Sequence, residues 1–344
     1  MKVLLGMSGG LDSTYAAAKL IDMGYTVEGA VLVMHDYTDT DSARESADSL
    51  GIPLHVIDCK EAFEKCVVTD FIDNYLMART PNPCVICNSD VKFRCLYQYA
   101  MDNGFDKIAT GHYARILEIK EEGSVRYAFM RSDDEGKDQT YVLWRLPQDI
   151  LASLLLPLGN ETKRCVRDRA KRMGLRAAER DESQEICFIP DNDHASYIEA
   201  RIGPSKHGHF IDTDGKIIGE HNGVIRYTVG QRKGLGIAMG KRVYVTNINV
   251  ADNTVMLSDE DVFSDRFTVS GAVFSGIEEP ACGAELALSV KQRYLAPPIK
   301  CILTYLGDGR ATVALKAPIR AVTPGQSAVF YDGDLLVLGG FINT

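Results

Sequence analysis

Residues 8–13, which read Ser-Gly-Gly-Leu-Asp-Ser, constrain the fold of this chain more than any other feature of its sequence. They follow an apolar run at residues 3–5 and lead directly into a helical pattern that ends near Gly24. A strand, a glycine turn and a helix start form a corner where free backbone N–H groups and the helix dipole attract an anion. The sequence therefore predicts a phosphate site close to the N-terminus. An ordinary serine-rich turn between a strand and a helix is the alternative interpretation.

The loop lacks the lysine that a Walker A motif places before its Ser or Thr. It resembles the PP-loop of ATP pyrophosphatases, which bind the pyrophosphate end of ATP and pass AMP to an acceptor oxygen. The resemblance implies ATP as cosubstrate. Asp12 is expected to help ligate Mg²⁺, a hard cation that prefers oxygen ligands.

Alternating strand and helix patterns over residues 1–115 predict a doubly wound, parallel α/β sheet. The apolar runs that read as buried strands lie at residues 2–5, 27–34, 54–58 and 107–110, with amphipathic helices at 42–50 and 93–103. Ligands of such sheets bind at the carboxyl ends of the strands, so Gly111 is expected beside the phosphate corner.

After residue 115 the sequence no longer shows a regular alternation of strand and helix patterns. Residues 127–146 read as a strand, a charged turn and a second apolar segment, 162–173 as a helix, and 183–190 as a short extended segment. After Gly203, short alternating strands and glycine turns predict β-rich structure of a barrel type. The predicted domains are a catalytic PP-loop domain at 1–203, a small central β domain at 204–260 and a C-terminal β-barrel at 261–344.

The composition of the chain indicates its cellular location and the kinds of partner it can bind. No run of about 18 apolar residues and no signal-peptide pattern are present, so we expect no membrane segment and a cytoplasmic location. The net charge of −9 argues against a nucleic-acid partner, but charge is segregated along the chain. Seven basic residues predict either an RNA-binding surface or a solvated helix face: Lys163, Arg164, Arg167, Arg169, Lys171, Arg172 and Arg176.

The nine cysteines have no disulfide-like rhythm, which fits reduced thiols. Cys84 and Cys87 form a C-x-x-C pair after a proline-rich turn, and Cys187 lies one hundred residues after Cys87. We expect Cys87 near a helix N-terminus, which would lower its pKa. Sulfur-transfer thiols, a three-cysteine iron–sulfur site and inert buried cysteines all remain open for these three residues. The inert interpretation is preferred for the other six cysteines.

Together these stretches resemble the signatures of the bacterial tRNA-specific 2-thiouridylases (the MnmA/TrmU family), and the resemblance runs nearly end to end. The matching stretches are residues 6–13, 80–88, 111–113, 137–139, 186–189 and the Gly-Gln-Arg-Lys-Gly-Leu-Gly run at 230–236. The resemblance implies ATP- and persulfide-dependent thiolation at C2 of the wobble uridine in tRNAs for Lys, Glu and Gln. A persulfide sulfur-donor protein and the tRNA are the implied partners.

The resemblance also implies roles for individual residues. Cys87 would be the first catalytic cysteine, Cys187 would receive the persulfide sulfur, and the two would alternate with a disulfide. The implied ATP-binding residues are Gly6, Met7, Ser8, Gly9, Gly10, Leu11, Asp12, Ser13, Met34 and Gly111. Asn82, Pro83 and Cys84 would face the target base, and Lys137, Asp138, Gln139, Arg293 and Tyr294 would contact tRNA.

One position departs from the family pattern, because many members have Asp where this chain has Cys84. A thiol cannot do the same proton work as a carboxyl group. The departure leaves Cys84, Cys87 and Cys187 as an alternative three-thiolate shell for a [4Fe–4S] cluster. Two rival functions are a synthetase that adenylates a small carboxylate or carbonyl, and an RNA-binding module with a vestigial nucleotide site.

Overall fold

A parallel sheet organises the N-terminal part of the chain in the computed structural model, which describes residues 1–121, 123–180, 186–237 and 240–343. The strands described before residue 203 are β1 (Lys2–Gly6), β2 (Thr26–Val33), β3 (Leu54–Asp58), β4 (Lys107–Ala109), β5 (Arg115–Glu121), β6 (Ser124–Met130) and β7 (Leu154–Leu155). The sheet has the order β3-β2-β1-β4-β7, and every pairing in it is parallel. The strand order reverses at β1, so a crevice opens at the carboxyl end of that strand.

Helices cover both faces of this sheet, as predicted. They are α1 (Leu11–Asp22), α2 (Thr40–Leu50), α3 (Lys60–Phe63), α4 (Thr69–Leu76), α5 (Pro83–Ile86), α6 (Phe93–Asp102), α7 (Gln148–Ser153), α8 (Lys163–Arg172) and α9 (His194–Ile202). Because side chains alternate along a strand, Val3 and Leu5 pack against α1 and α8 while Leu4 packs against α6 and α7. Two π-helical turns, Glu64–Val68 and Cys87–Lys92, join α3 to α4 and α5 to α6.

A second, smaller sheet follows. Its strands are β8 (Gly208–Ile211), β9 (Ile217–His221), β10 (Tyr244–Asn249) and β11 (Thr254–Ser258), in the order β10-β11-β8-β9. Phe210, Val245 and Val255 form the centre of its separate core. This is the predicted small β domain.

The C-terminal strands close into a barrel. They are β12 (Phe263–Phe274), β13 (Glu285–Lys291), β14 (Ile299–Gly307), β15 (Arg310–Arg320), β16 (Ser327–Asp332) and β17 (Leu335–Asn343). Their order is β12-β15-β14-β13-β16-β17, and a β12–β17 pairing completes the ring. Closure removes the unpaired strand edges that invite aggregation. The fold class therefore agrees with prediction, while the domain boundaries at 203 and 260 stay predictions.

The second apolar segment in residues 127–146 contains a 3₁₀ turn (Thr140–Val142), and it packs on the barrel through buried Tyr141 and Trp144. One local prediction was wrong. Residues 186–190 form a turn, with the Ile189 N–H donating to the Ile186 carbonyl, rather than an extended segment. The first part of that predicted segment, 183–185, lies outside the described residues. No helix in the described part of the chain is long and apolar enough to cross a membrane.

Candidate active site

The loop between β1 and α1 is shaped for close approach of an anion. Gly9 adopts a φ of +76°, and a Cβ built there would lie 2.4 Å from the Ser42 carbonyl carbon, so only glycine fits. Gly10 is the N-cap of α1 and supplies no side-chain cap. The first N–H groups of α1 therefore remain available for a ligand.

Two hydroxyl groups hold this loop together. Ser13 Oγ accepts from the Ser8 N–H at 3.2 Å, and it lies 3.2 Å from Ser8 Oγ. Thr14 Oγ1 donates to the Gly10 carbonyl at 2.9 Å. Because these bonds fix the loop before any ligand arrives, its N–H groups are already oriented.

A cavity of about 320 Å³ lies beside this loop, at the crevice expected from the strand order. Seven of the predicted ATP-binding residues line it: Gly6, Met7, Ser8, Asp12, Ser13, Met34 and Gly111. Ala30, Val31 and Leu32 give it an apolar wall. A polar end beside an apolar wall suits a nucleotide, whose phosphates and base differ in the same way.

Gly9, Gly10 and Leu11 do not line this cavity. The Leu11 side chain is buried in the core between α1 and the sheet, so only its backbone could contact ATP, and its predicted role stays a prediction. The Gly9 carbonyl accepts hydrogen bonds from Arg180 at 2.5 Å and from Ser46 Oγ at 3.4 Å. Gly9 and Gly10 therefore shape the loop, while their neighbours face the cavity.

Asp12 lies at the centre of a polar cluster that sequence reasoning did not foresee. Lys163 Nζ donates to both of its carboxylate oxygens at 2.8 Å, and the Tyr113 hydroxyl donates to Oδ1 at 2.8 Å. Lys163 begins α8, whose basic residues were predicted to form either an RNA-binding surface or a solvated helix face. Instead, this ammonium points into the phosphate corner.

Several other residues of the basic segment are also engaged within the protein. Arg167 donates to the Ala178 carbonyl at 2.9 Å, Arg169 pairs with Glu161 at 2.6 Å and Arg176 pairs with Glu45 at 2.9 Å. Arg164, by contrast, is 92% exposed. The segment is therefore neither wholly an RNA surface nor wholly a solvated face.

The C-x-x-C segment lies next to the nucleotide cavity. Asn82 caps α5 by accepting from the Cys84 N–H at 3.2 Å, Pro83 is buried, and Cys84 is exposed. Cys87 follows α5, and its sulfur lies 3.6 Å from the sulfur of Met34, a cavity residue. The structure therefore brings the predicted first catalytic cysteine to the predicted ATP site.

The expected low pKa of Cys87 is not found. Cys87 is only 4% exposed, and burial raises its pKa to about 12, although the nearby Lys92 acts in the opposite direction. Desolvation by the surrounding protein also raises the pKa of Cys187, although this cysteine is exposed, and Lys92 again acts in the opposite direction. A thiol in a poorly hydrated site is harder to ionise, and that outweighs the position of Cys87 beside a helix.

Two further cavity residues bear on the chemistry. Lys92 was missed, although it is the only lysine between Lys65 and Lys107 and follows the C-x-x-C by five residues. His112 accepts from or donates to Thr110 Oγ1 at 2.8 Å, and burial lowers its pKa to about 3. His112 is therefore neutral at physiological pH.

The predicted tRNA-contacting residues have different environments. The Asp138 carboxylate is buried and accepts from Ser132 N–H, Thr140 N–H and Thr140 Oγ1, so its side chain holds this loop from inside, while its predicted contact with tRNA stays a prediction. Gln139 binds the Tyr113 backbone and lines the cavity, while Lys137 lies half-buried next to it. Arg293 and Tyr294 lie between β13 and β14, where Arg293 donates to Thr323 Oγ1 at 2.9 Å.

The sequence predicted Mg²⁺ and, as an alternative, a [4Fe–4S] cluster. The residues of this site suit Mg²⁺ better than the cluster. Mg²⁺ commonly takes one carboxylate plus substrate phosphates, and Asp12 offers one partly exposed carboxylate at the phosphate corner. Cys84, Cys87 and Cys187 all lie in the described part of the chain, and no three His, Cys, Asp or Glu residues there are grouped to hold a metal ion. A three-thiolate cluster site is thus not preformed.

Comparison with known proteins covers the whole chain. Residues 1–191 match the family model described as the tRNA methyl transferase HUP domain, 195–259 the tRNA methyl transferase PRC-barrel domain and 264–342 the aminomethyltransferase beta-barrel domain. These descriptions name the models and assign no methyl transfer to this chain.

Curated relatives match over nearly their full length. The tRNA-specific 2-thiouridylase MnmA of Acetivibrio thermocellus is 45% identical, covering 99% of each chain. The proteins of the same name from Clostridium botulinum and Carboxydothermus hydrogenoformans are each 42% identical, covering 99% of this chain and 97% of theirs. With its PP-loop domain, central β domain and C-terminal barrel, the chain belongs to the MnmA family of tRNA-specific 2-thiouridylases.

Proposed function

We propose that this protein is an ATP-dependent enzyme that thiolates C2 of the wobble uridine in tRNAs for Lys, Glu and Gln. One observation carries the proposal: Cys87 touches Met34 in the wall of the cavity that the phosphate loop forms. A nucleotide site that shares a wall with a cysteine site suits a reaction that activates a carbonyl and then delivers sulfur to it. We place this activity in the cytoplasm, where thiols stay reduced.

ATP solves the difficulty that the C2 oxygen of uridine cannot leave as oxide. The loop N–H groups and Lys163 would hold the pyrophosphate end of ATP, and Asp12 would hold a Mg²⁺ ion that would supply positive charge to the phosphates. Uridine O2 then bonds to the α-phosphorus as the bond to pyrophosphate breaks. The oxygen can now leave C2 as part of AMP.

Sulfur would come from a persulfide on Cys187, loaded by a sulfur-donor protein. Its terminal sulfur bonds to C2, the C2–O2 bond breaks and AMP departs with the electron pair. Cys87 then attacks the Cys187 sulfur, the S–S bond of the persulfide breaks, and the electron pair stays on the sulfur attached to C2. The Cys87–Cys187 disulfide that remains is reset by a dithiol reductant.

The tRNA must present the uridine unstacked, because C2 cannot be reached inside a stacked anticodon. Asn82, Pro83 and Cys84 precede Cys87 at the mouth of the site and would face the base. Lys137, Gln139, Arg293 and Tyr294 would contact the tRNA, and Asp138 would support them from inside by fixing the loop.

The alternative mechanism uses an iron–sulfur cluster. A substitution at Cys84 distinguishes it from the persulfide mechanism. Cys84→Asp removes a soft thiolate that a cluster needs, whereas it restores the commoner family residue for persulfide chemistry. We expect anaerobically purified Cys84→Asp to match or exceed the wild-type rate of thiolation. Wild-type protein with about four irons per chain, together with an iron-free and inactive variant, would show the cluster route instead.

ATP turnover distinguishes the broader rivals. AMP formation should require tRNA and equal the 2-thiouridine formed. AMP formation with a small carboxylate and no tRNA would identify a small-molecule synthetase, and tRNA binding without any AMP would identify a vestigial nucleotide site.

A further inference from the structure

Lys92 owes its position to the π-helical turn Cys87–Lys92. The Phe93 N–H donates to the Asn88 carbonyl, five residues earlier. In an α-helix, a residue and the fifth one after it point about 140° apart around the axis. The wider i→i+5 turn brings them back toward one side, and such turns occur frequently at functional sites. Cys87 and Lys92 thus face the same region.

That region is the junction between the nucleotide cavity and the cysteines. Lys92 lines the cavity together with Ser8 and Asp12. Among the cavity-lining residues in the described part of the chain, it carries the only ammonium or guanidinium group. His112, the other basic side chain there, is neutral because burial lowers its pKa to about 3.

The surroundings of Lys92 keep it charged. The Cys87 sulfur raises the pKa of Lys92, and Cys84 and Cys187 act in the same direction, against the effect of burial. Within the described residues Lys92 makes no ion pair, unlike Lys163, which is held by Asp12. A partly buried ammonium without a counter-ion is costly, so we expect an anion to occupy this junction in the working enzyme.

We propose that Lys92 is a catalytic residue, whose ammonium contacts the α-phosphate during adenylation and AMP departure. The inference rests on the proposed function. The phosphate loop holds the pyrophosphate end of ATP, so the α-phosphate lies between that loop and the uridine brought by the cysteine side. Lys92 is the cation at that meeting point.

The charge on phosphorus changes in both steps, and this is where Lys92 acts. As the O2–P bond forms and pyrophosphate leaves, negative charge builds on the oxygens of the five-coordinate phosphorus. When sulfur bonds to C2, AMP takes the electron pair of the breaking C2–O2 bond. A fixed ammonium stabilises both developing charges without reorganising, and single groups of this kind contribute on the order of 10²-fold or more in rate.

The test compares Lys92→Met, Lys92→Arg and the control Lys60→Met, whose lysine is an exposed partner of Asp36. Full-length proteins would be measured for ATP affinity, for single-turnover AMP formation with tRNA, and for persulfide loading of Cys187 by a persulfide donor. We expect Lys92→Met to form AMP on the order of 100-fold more slowly. Its ATP affinity and persulfide loading should stay within a few-fold of wild type, Lys92→Arg should recover part of the rate, and Lys60→Met should be unchanged.

Two results would overturn the inference. One is wild-type AMP formation by Lys92→Met. The other is an equal loss of ATP affinity and melting temperature in Lys92→Met and Lys92→Arg, which would make Lys92 structural. Failure of the proposed function looks different, because wild-type protein itself would then form no tRNA-dependent AMP or 2-thiouridine.

Discussion

Gly9 shows how strictly single residues determine the phosphate loop. Its positive φ alone would cost an alanine about 1–2 kcal/mol, and its contact with the Ser42 backbone adds a clash that no side-chain movement can relieve. Gly51 offers a matched control, because it has a φ of +66° and nothing within 4 Å of its hypothetical Cβ.

We predict that Gly9→Ala loses ATP binding by at least about tenfold, whereas Gly51→Ala binds ATP normally and loses only about 1 kcal/mol of stability. Isothermal titration with ATP and chemical unfolding would measure the two effects. Equal ATP affinity in both variants would contradict the close packing of the loop on α2.

Asp12 is the second residue on which the nucleotide site depends. Asp12→Asn keeps the shape of the side chain but removes the charge that pairs with Lys163 and would hold Mg²⁺. We expect tRNA-dependent AMP formation to fall by on the order of 100-fold, since charge stabilisation at the phosphates is lost. Affinity for tRNA should stay within a few-fold.

Tyr113→Phe is the matched control, because it removes one hydrogen bond to Asp12 and leaves the charge. Its loss should be below about tenfold, in line with about 1 kcal/mol for a hydrogen bond. An Asp12→Asn enzyme that forms AMP at the wild-type rate would remove Asp12 from the nucleotide site.

At the scale of elements, the turn from α5 into Cys87–Lys92 decides how Cys87 reacts. With a pKa of about 12, only about one Cys87 thiol in 10⁴ is ionised at pH 8. We predict slow alkylation of Cys87 by iodoacetamide in the free enzyme, with a rate that keeps rising with pH beyond 9. Peptide mass spectrometry would compare it with exposed Cys84, which should react at least about tenfold faster.

Binding of tRNA and ATP should raise the rate at Cys87, because its chemistry requires the thiolate. A Cys87 that reacts as fast as Cys84 in the free enzyme would contradict the buried position.

Helix α8 differs most from its prediction, because some of its basic residues bond within the protein and others are exposed. Its exposed basic residues are Arg164, Arg169, Lys171 and Arg172, of which Arg169 pairs with Glu161, while Lys163 and Arg167 face inward. We predict that reversing Arg164, Lys171 and Arg172 to Glu weakens tRNA binding, with the salt slope reduced by about 0.7–0.9 for each lost phosphate contact. ATP affinity should not change. An unchanged slope would identify α8 as a solvated face, and Arg310→Glu on the barrel is the control for net charge.

Elements differed in how far the sequence could predict them. Strands β1 to β4 were predictable because each lies in a short run rich in apolar residues, and β1 is buried along its centre, which is typical of a covered parallel sheet. Strand β5 was missed because only Leu117 and Ile119 alternate with charged residues in it. It pairs with β6, which in turn pairs with β17 through Met130 and Leu335, about 200 residues apart. Local pattern carries no information about such a distant partner.

The candidate active site, like the strands, was predictable from the sequence only in part. The loop at residues 8–13 and the C-x-x-C pair have local signatures, and the structure brings them together. The Asp12–Lys163 pair and the burial of Asp138 depend on tertiary packing, which the local sequence pattern does not reveal. Lys92 had a local signal, but its facing direction depends on a π-helical turn that helical periodicity does not predict.

At the scale of the whole molecule, the barrel is in direct contact with the N-terminal part of the chain. The barrel holds the cysteine segment from behind, since Thr80 N–H donates to the Pro324 carbonyl at 2.8 Å and Gln326 Nε2 donates to the Thr80 carbonyl at 2.8 Å. The 3₁₀ turn Thr140–Val142 is likewise tied to the barrel, through Tyr141 and the Ser327 carbonyl. RNA bound on the barrel at Arg293 would therefore lie on the same rigid unit as the cysteine segment.

The central claim is that ATP activates a tRNA uridine for sulfur carried by Cys187. It is tested most directly by one single-turnover reaction of full-length enzyme, preloaded with ³⁴S persulfide and mixed with ATP and unmodified tRNA. Nucleoside mass spectrometry should find ³⁴S at C2 of the wobble uridine, with one AMP formed for each sulfur transferred and none transferred by Cys187→Ser. Transfer of ³⁴S without AMP, or by Cys187→Ser at the wild-type level, would contradict the account.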